Sequence, residues 1–203
     1  MNLATAFLRA GRYEDALGVG RRLESECGEA ESVRHCRILV HLNQRDWRLA
    51  LDAAGSGHDA VDALLASLAA VELGEEAVAR AKLVEAILGA PETVAVLFGY
   101  RDKSKPDGYR AVESQNMGVE LHASLTRYLS VRSGRSKRLA RQLWQHPVVT
   151  DLRQEVRALE REWTAERDQD RRTLERLERI RSRSFAEETA ARLEQQPTNG
   201  RRK

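Results

Sequence analysis

The sequence predicts an all-α fold, and three features of its composition support that prediction. The 203-residue chain is rich in Ala, Leu, Glu and Arg, which favour helices. Aromatic residues make up only 5% of it, and there are 4 prolines and 13 glycines. A β-sandwich or barrel normally needs more aromatic and β-branched residues and more turn residues. The length predicts one or two domains with a substantial core.

Several classes of protein are excluded by what the sequence lacks. No run approaches the roughly 20 apolar residues that span a bilayer, and the N-terminus has no basic segment followed by an apolar core. Cys27 and Cys36 are the only cysteines, which is too few for a disulfide framework. We therefore expect a cytoplasmic protein without membrane contact.

The first half of the chain repeats a short pattern at a spacing of 34 residues. A turn opens a helix, with an aromatic residue, an alanine and a leucine at matching places. A third copy begins 29 residues after the second and adds a later alanine and a proline. The shared residues are Gly11, Tyr13, Ala16 and Leu17; Trp47, Ala50 and Leu51; and Gly74, Ala79, Ala86 and Pro91.

This pattern resembles the tetratricopeptide repeat, a 34-residue helix-turn-helix unit, over about residues 1–91. The third copy matches the family's glycine, small residues and proline throughout, whereas Leu23 and Arg45 depart from it in the first two copies. Small residues allow antiparallel helices to approach closely, and stacked pairs bury each other's apolar faces. The resemblance implies an α-solenoid. The alternative is an ordinary bundle of Ala- and Leu-rich helices.

The resemblance also implies a concave groove that grips peptides. Some family members clamp a terminal carboxylate with Lys, Asn and Arg at set groove positions. The matching places hold Met1, Thr5, Cys36, Val61 and Leu65, so this clamp is absent. A partner in the groove would be bound by other contacts.

Residues 92–147 complete the predicted repeat domain, which covers residues 1–147. A short helix at 92–98 precedes a loop at 99–110. A helix follows at 111–129, with Val112 and Val119 along its apolar side. Beyond Gly134, we expect Ser136 to cap a helix that Pro147 ends.

A long charged helix is predicted over residues 148–196, where neither Gly nor Pro occurs. Its first half should cap the repeat domain. Its second half should pair with a partner protein or with a second copy as a coiled coil, or else remain solvated at 165–195. Residues 197–203 are predicted to be a disordered basic tail. The apolar seam consists of Leu152, Val156, Leu159, Trp163, Leu177 and Ile180.

The net charge of +3 conceals an uneven distribution. Residues 1–120 have a net charge of −5, whereas residues 121–150 carry six basic groups and no acid. Such a segment favours phosphates, a nucleic-acid backbone or an acidic protein surface. The alternative is that it neutralises the acidic repeat domain. Its members are Arg127, Arg132, Arg135, Lys137, Arg138 and Arg141.

No motif in the sequence indicates catalysis. Carboxylate pairs such as Asp59 and Asp62 are ordinary on helix surfaces. The only metal-like cluster lacks the ligand spacing of zinc sites, so we expect packing roles for its residues. That cluster is Cys27, His35, Cys36 and His41. We expect a non-enzyme that needs no metal or cofactor.

The sequence thus favours a protein-binding scaffold or adaptor in a bacterial-type cytoplasmic complex. It would use the repeat groove and the C-terminal helix, which could also form a homo-oligomer. The alternative is a nucleic-acid-binding accessory subunit that uses residues 127–141. An enzyme without a recognisable motif is a third, weaker hypothesis.

Overall fold

The fold is all-α, as the composition predicted. The computed structural model describes residues 3–27, 31–55, 57, 59–100, 109–125, 128–130, 134–165 and 171–195, and these ranges contain no strand. The bounded helices are α1 (Leu3–Arg9), α2 (Tyr13–Cys27), α3 (Glu31–Gln44), α4 (Trp47–Gly55), α5 (Ala60–Leu73), α6 (Glu76–Gly89), α7 (Pro91–Phe98), α8 (Tyr109–Ser124), α9 (Gly134–Trp144), α10 (Pro147–Ala165), α11 (Arg171–Arg181) and α12 (Arg183–Gln195). No helix in these ranges is both long and apolar enough to cross a membrane.

The first six helices form three consecutive pairs joined by tight turns. The turn residues are Gly11, Arg45 and Gly74, whose φ angles are 72°, 70° and 77°. At each turn, two backbone N–H groups donate to carbonyls in the last turn of the preceding helix. This left-handed cap satisfies carbonyl groups that the helix end leaves unpaired. Gly99 ends α7 in the same way.

Small residues lie where these paired helices approach each other. Ala16, Ala50 and Ala79 each lie five residues after a turn, and all three are fully buried. Contacts join each helix from α1 to α6 to the next, and also join α1 to α3 and α3 to α5. The first helices of the pairs therefore form a row, which α8 contacts at α1.

Helices α5 and α6 occupy the centre of the molecule. Residues 62–71 of α5 are all buried, and α6 contacts α9, α10, α11 and α12 in addition to α5. One apolar cluster extends from Ala4 in α1 to Leu193 in α12. The boundary predicted at residue 147 therefore does not separate two hydrophobic cores.

The prediction for the buried face of α8 is wrong. Val112 and Val119 are 43% and 56% exposed, whereas Gly118 and Leu121 face the protein. A Cβ on Gly118 would lie 2.8 Å from Val96 Cβ, and Thr93 Oγ1 donates to Ser114 O at 2.7 Å. Small and polar residues thus make the close α7–α8 contact, which a search for an apolar stripe overlooks.

The predicted long C-terminal helix is also wrong. The described residues 147–165 and 171–195 form three helices, of which α11 packs on α10 and α12 packs on α6. Ser182 separates α11 from α12, and its hydroxyl accepts a hydrogen bond from the Phe185 backbone at 3.3 Å. This N-terminal cap lets the chain start a new helix without Gly or Pro. The predicted tail at 197–203 lies outside the described residues.

Candidate functional site

The buried and exposed faces of helix α9 carry different kinds of side chain. Ser136, Ala140 and Leu143 are buried, and the helix packs against α5 and α6. Ser136 was expected to cap the helix, but α9 begins at Gly134 and the Ser136 hydroxyl lies 3.0 Å from Tyr128 Oη. This contact fixes the rotation of α9 on the core. The opposite side carries four exposed cations, Arg135, Lys137, Arg138 and Arg141, which we call the basic face.

The basic face has no internal counter-charge. Helix α9 contains no acidic residue, and none of its four cations forms an ion pair with any residue that the structure describes. Three pairs of these cations have i,i+3 or i,i+4 spacing, so the members of each pair are neighbours on the helix and repel each other. The pairs are Arg135 and Arg138, Arg138 and Arg141, and Lys137 and Arg141. From Arg135 to Arg141 the helix rises about 9 Å. The face therefore concentrates positive charge in a short, exposed strip.

An aromatic group borders this strip. Tyr100 Oη donates to the Lys137 carbonyl at 3.2 Å, and the Tyr100 and Trp144 ring centroids are 5.3 Å apart. Burial raises the pKa of Tyr100 to about 12, although the charge of Arg141 opposes this shift. Arg153 Cζ lies 3.7 Å from the Trp144 ring centroid. The rings anchor α9 to neighbouring helices and are engaged in these contacts.

The other candidate site joins α3 to the start of α5. Arg34, His35, Asp59 and Asp62 form what we call the polar network. Arg34 Nε donates to Asp62 Oδ2 at 2.9 Å, and His35 Nε2 lies 3.1 Å from Asp59 Oδ2. Asp59 also caps α5 by accepting from the Asp62 backbone at 2.7 Å. The network thus ties two helices together through two cations and two carboxylates.

The network is largely shielded from solvent, which changes its proton affinities. Burial by itself would lower the pKa of His35, but its contacts with Asp59 and Asp62 outweigh burial and raise that pKa to about 9. Burial would raise the pKa of Asp59, yet hydrogen bonds from His35 and the Asp62 backbone hold it well below its usual range. At neutral pH, both groups are therefore charged.

The ligand atoms of His35, Asp59 and Asp62 lie within 4.8 Å of one another, close enough for a metal ion. However, the Arg34 guanidinium already contacts both carboxylates, and a protonated imidazole has no lone pair to donate. Asp62 is only 1% exposed, and its Oδ1 lies 3.3 Å from His35 Nε2. We therefore interpret the cluster as a structural ion-pair network. A metal ion would have to displace a proton and face a fixed positive charge.

Sequence reasoning missed this network because it treated Asp59 and Asp62 as an ordinary surface pair. Their partners lie 24 to 28 residues earlier in the chain. The signal that could have found them is the Asp59 cap position followed by Asp62, three residues later, in an apolar helix. Gly57 lies close to the network in the structure, where a Cβ would lie only 1.7 Å from Asp62 Oδ2.

The described members of the metal-like cluster do not converge. His35 belongs to the polar network. Cys36 is buried with its Sγ 3.8 Å from the Ala16 carbonyl, and burial raises its pKa although Arg37 opposes the shift. His41 Nδ1 lies 3.8 Å from Asp46 Oδ2. These side chains therefore have separate packing partners, and the side chain of Cys27 lies outside the described residues.

The predicted partner seam lies in the chain's own core. Val156, Leu159, Leu177 and Ile180 are buried, and Leu152 and Trp163 pack against the same cluster. Of the groove positions, Leu65 and Cys36 are buried as well, and Asn43 of α3 donates to the Ser124 carbonyl of α8 at 3.1 Å. The seam is therefore not available to a partner, whereas Thr5 and Val61 of the groove positions are only half-buried. Met1, Arg127 and Arg132 lie outside the described residues.

Comparison with protein-family models, curated proteins and solved structures finds no significant match to this chain.

Proposed function

We propose that this protein is a non-enzymatic helical adaptor that binds the phosphate backbone of a nucleic acid through the basic face of α9. The observation that carries the proposal is the set of four exposed cations, which have no carboxylate partner among the described residues. Mutually repelling charges on a rigid helix are relieved when a polyanion binds. Double-stranded DNA carries a negative charge about every 1.7 Å, so the strip would face several phosphates at once.

Binding through phosphates rather than bases fits the neighbouring aromatic group. Tyr100 and Trp144 contact each other, and the Arg153 guanidinium covers the Trp144 ring. A base would have to displace these contacts to stack on the rings. We therefore expect affinity that depends strongly on salt and little on nucleotide sequence.

The same proposal includes a degenerate tetratricopeptide-like architecture for the first three helix pairs. Its support is the left-handed turn at each expected position and the buried alanine five residues later. In this arrangement the repeats act as a rigid platform for α9, whose inner face packs on α5 and α6. The groove itself is not needed for the proposed contact.

The test is binding of a fluorescently labelled DNA duplex of about 20 base pairs, followed by anisotropy as the salt concentration is raised. Removing one phosphate contact should weaken binding about eightfold near 0.1 M salt and flatten the logarithmic salt slope by about 1. The double variant Arg135→Gln, Arg138→Gln should therefore bind on the order of 50-fold more weakly.

The matched control removes two exposed arginines that already have partners. Arg171 and Arg183 pair with Glu175 and Glu187, each at 2.9 Å. The variant Arg171→Gln, Arg183→Gln has the same net charge as the α9 double variant and should change affinity less than twofold. Equal losses in the two variants would indicate a general charge effect and remove α9 as the site. Stronger binding to polyglutamate than to the duplex would favour an acidic protein partner.

A protein-binding scaffold is the second candidate function. It is favoured by the outer face of α8, where Val112 and Val119 are exposed and lie two turns apart. In this case, a partner that co-purifies with the native protein should be lost in the variant Val119→Asp. The same partner should be retained in the α9 double variant. The opposite pattern would assign the partner to the basic face.

A further inference from the structure

Arg45 occupies the turn between α3 and α4 in a backbone conformation that suits glycine. Its φ angle is 70°, and among the described residues it is the single non-glycine residue with a positive φ. The equivalent turns at Gly11 and Gly74, and the one at Gly99, have glycine with nearly the same φ. Their hydrogen bonds match as well, since the N–H groups of Arg45 and Asp46 donate to Leu42 and His41.

A side chain at this position costs stability because Cβ crowds the backbone in the left-handed conformation. Strain of this kind persists when something else requires the residue. Nothing within the described chain compensates Arg45 by an ion pair, since its exposed side chain has no partner there. Arg48, three residues later, differs because it pairs with Glu75 at 2.6 Å.

Side-chain contacts connect the start of α4, which follows this turn, with the start of α9. Trp47, two residues after Arg45, has its ring centroid 5.9 Å from that of Tyr128. Tyr128 Oη lies 3.0 Å from the hydroxyl of Ser136 in the first turn of α9. A short chain of side-chain contacts therefore links the α4 start to the α9 start.

We propose that Arg45 is an additional phosphate-contacting residue, which extends the nucleic-acid surface from α9 to the α3–α4 turn. This inference rests on the proposed function and names a residue outside the basic segment. It explains why a cation stands where glycine would stabilise the turn. A ligand that bridges the two positions would contact helices from both the first and the second half of the chain.

The experiment compares stability and duplex binding in the same variants. Arg45→Gly should raise the melting temperature by about 2–4 °C, because the strain is relieved. The same variant should bind the duplex about eightfold more weakly near 0.1 M salt, with a salt slope flatter by about 1. Arg45→Lys should keep the affinity within about twofold while gaining no stability.

Arg22→Gln is the matched control, because Arg22 is exposed on α2 and has no ion pair among the described residues. It should leave both the affinity and the salt slope unchanged. Arg45→Gly with unchanged affinity and slope would overturn the inference while leaving the α9 proposal intact. If the wild-type protein fails to bind the duplex at low salt, the proposed function and this inference both fail. In that case, a higher stability of Arg45→Gly would reflect only the relief of backbone strain in the turn.

Discussion

Two groups of cations in this protein have opposite environments. In the polar network, Arg34 and His35 are largely buried, and each lies within 3.5 Å of both Asp59 and Asp62. On the basic face of α9, four cations are exposed without a carboxylate partner among the described residues. Burying the charges of the polar network costs free energy, but once paired they hold α3 and α5 together. The charges of the basic face repel one another slightly in the folded protein and remain available to a ligand.

The largest expected difference between the polar network and the basic face appears when one charge is removed from the network. Asp62→Asn should lower the free energy of unfolding by about 3–5 kcal/mol, because it leaves Arg34 and His35 partly buried with one carboxylate between them. Urea denaturation measures the change. The control Asp52→Asn alters an exposed residue of α4 and should cost less than about 0.5 kcal/mol. A loss below about 1 kcal/mol in Asp62→Asn would show that the network does not hold α3 to α5.

A change of pH distinguishes the polar network from the basic face without mutation, because it changes the charge of His35. The pKa of His35 is about 9 in the folded protein and about 6.5 in the unfolded chain. Because the folded value is higher, its contribution to stability is complete below about pH 6.5 and disappears as the pH rises to about 9. The expected loss is up to about 3 kcal/mol, from the difference between these pKa values.

Denaturation curves between about pH 6 and pH 9 measure this slope. His35→Gln should remove it, whereas the α9 double variant should retain it, since arginine does not titrate in this range. On the acid side the sign is reversed, because the pKa of Asp59 is lowered by folding. Its contribution is present above its unfolded pKa of about 3.9 and is lost as the pH falls. An identical alkaline slope in wild type and His35→Gln would contradict the assignment.

The smallest expected change in stability comes from removing a single exposed arginine. Its sign differs between an arginine of the basic face and an arginine that has an ion-pair partner. Arg138→Gln should raise the free energy of unfolding by about 0.3 kcal/mol, because Arg138 lies three positions from both Arg135 and Arg141. Arg183→Gln should lower it by about 0.3 kcal/mol, because it breaks the pair with Glu187. Thermal unfolding of both variants at low salt measures the difference. A lower free energy of unfolding in Arg138→Gln would mean that the α9 cations have stabilising partners.

Local sequence signals predicted much of the fold. Gly11, Arg45 and Gly74 lie at turns, as the repeated pattern predicted, and Pro147 lies where a new helix begins. The errors came from long, polar stretches without strong breakers. Ser182 ends α11 through a side-chain hydrogen bond, and α8 buries Gly118 rather than its valines. In both cases a neighbouring helix selects the outcome, and a single-segment pattern contains no information about that neighbour.

The candidate sites divide in the same way. The sequence identified the basic segment because six cations lie close together in the chain, and four of them share the exposed side of α9. It missed the polar network, whose cations precede its carboxylates by 24 or more residues. The basic segment can be recognised because its members are close together in the sequence. The members of the polar network are far apart in the sequence, so the same signal does not exist for them.

By itself, the sequence determined the all-α class, the left-handed turns of the first half and the location of the unbalanced charge, because these depend on backbone propensities and on residues a few positions apart. Only the tertiary structure decided which charges are paired and which faces are covered. The apolar side chains of the seam at 152–180 lie in the core, and Asp62 is a buried anion in contact with Arg34. Ion pairing and burial require atoms from distant segments to meet within a few ångströms, and that condition is set by the packing of whole helices.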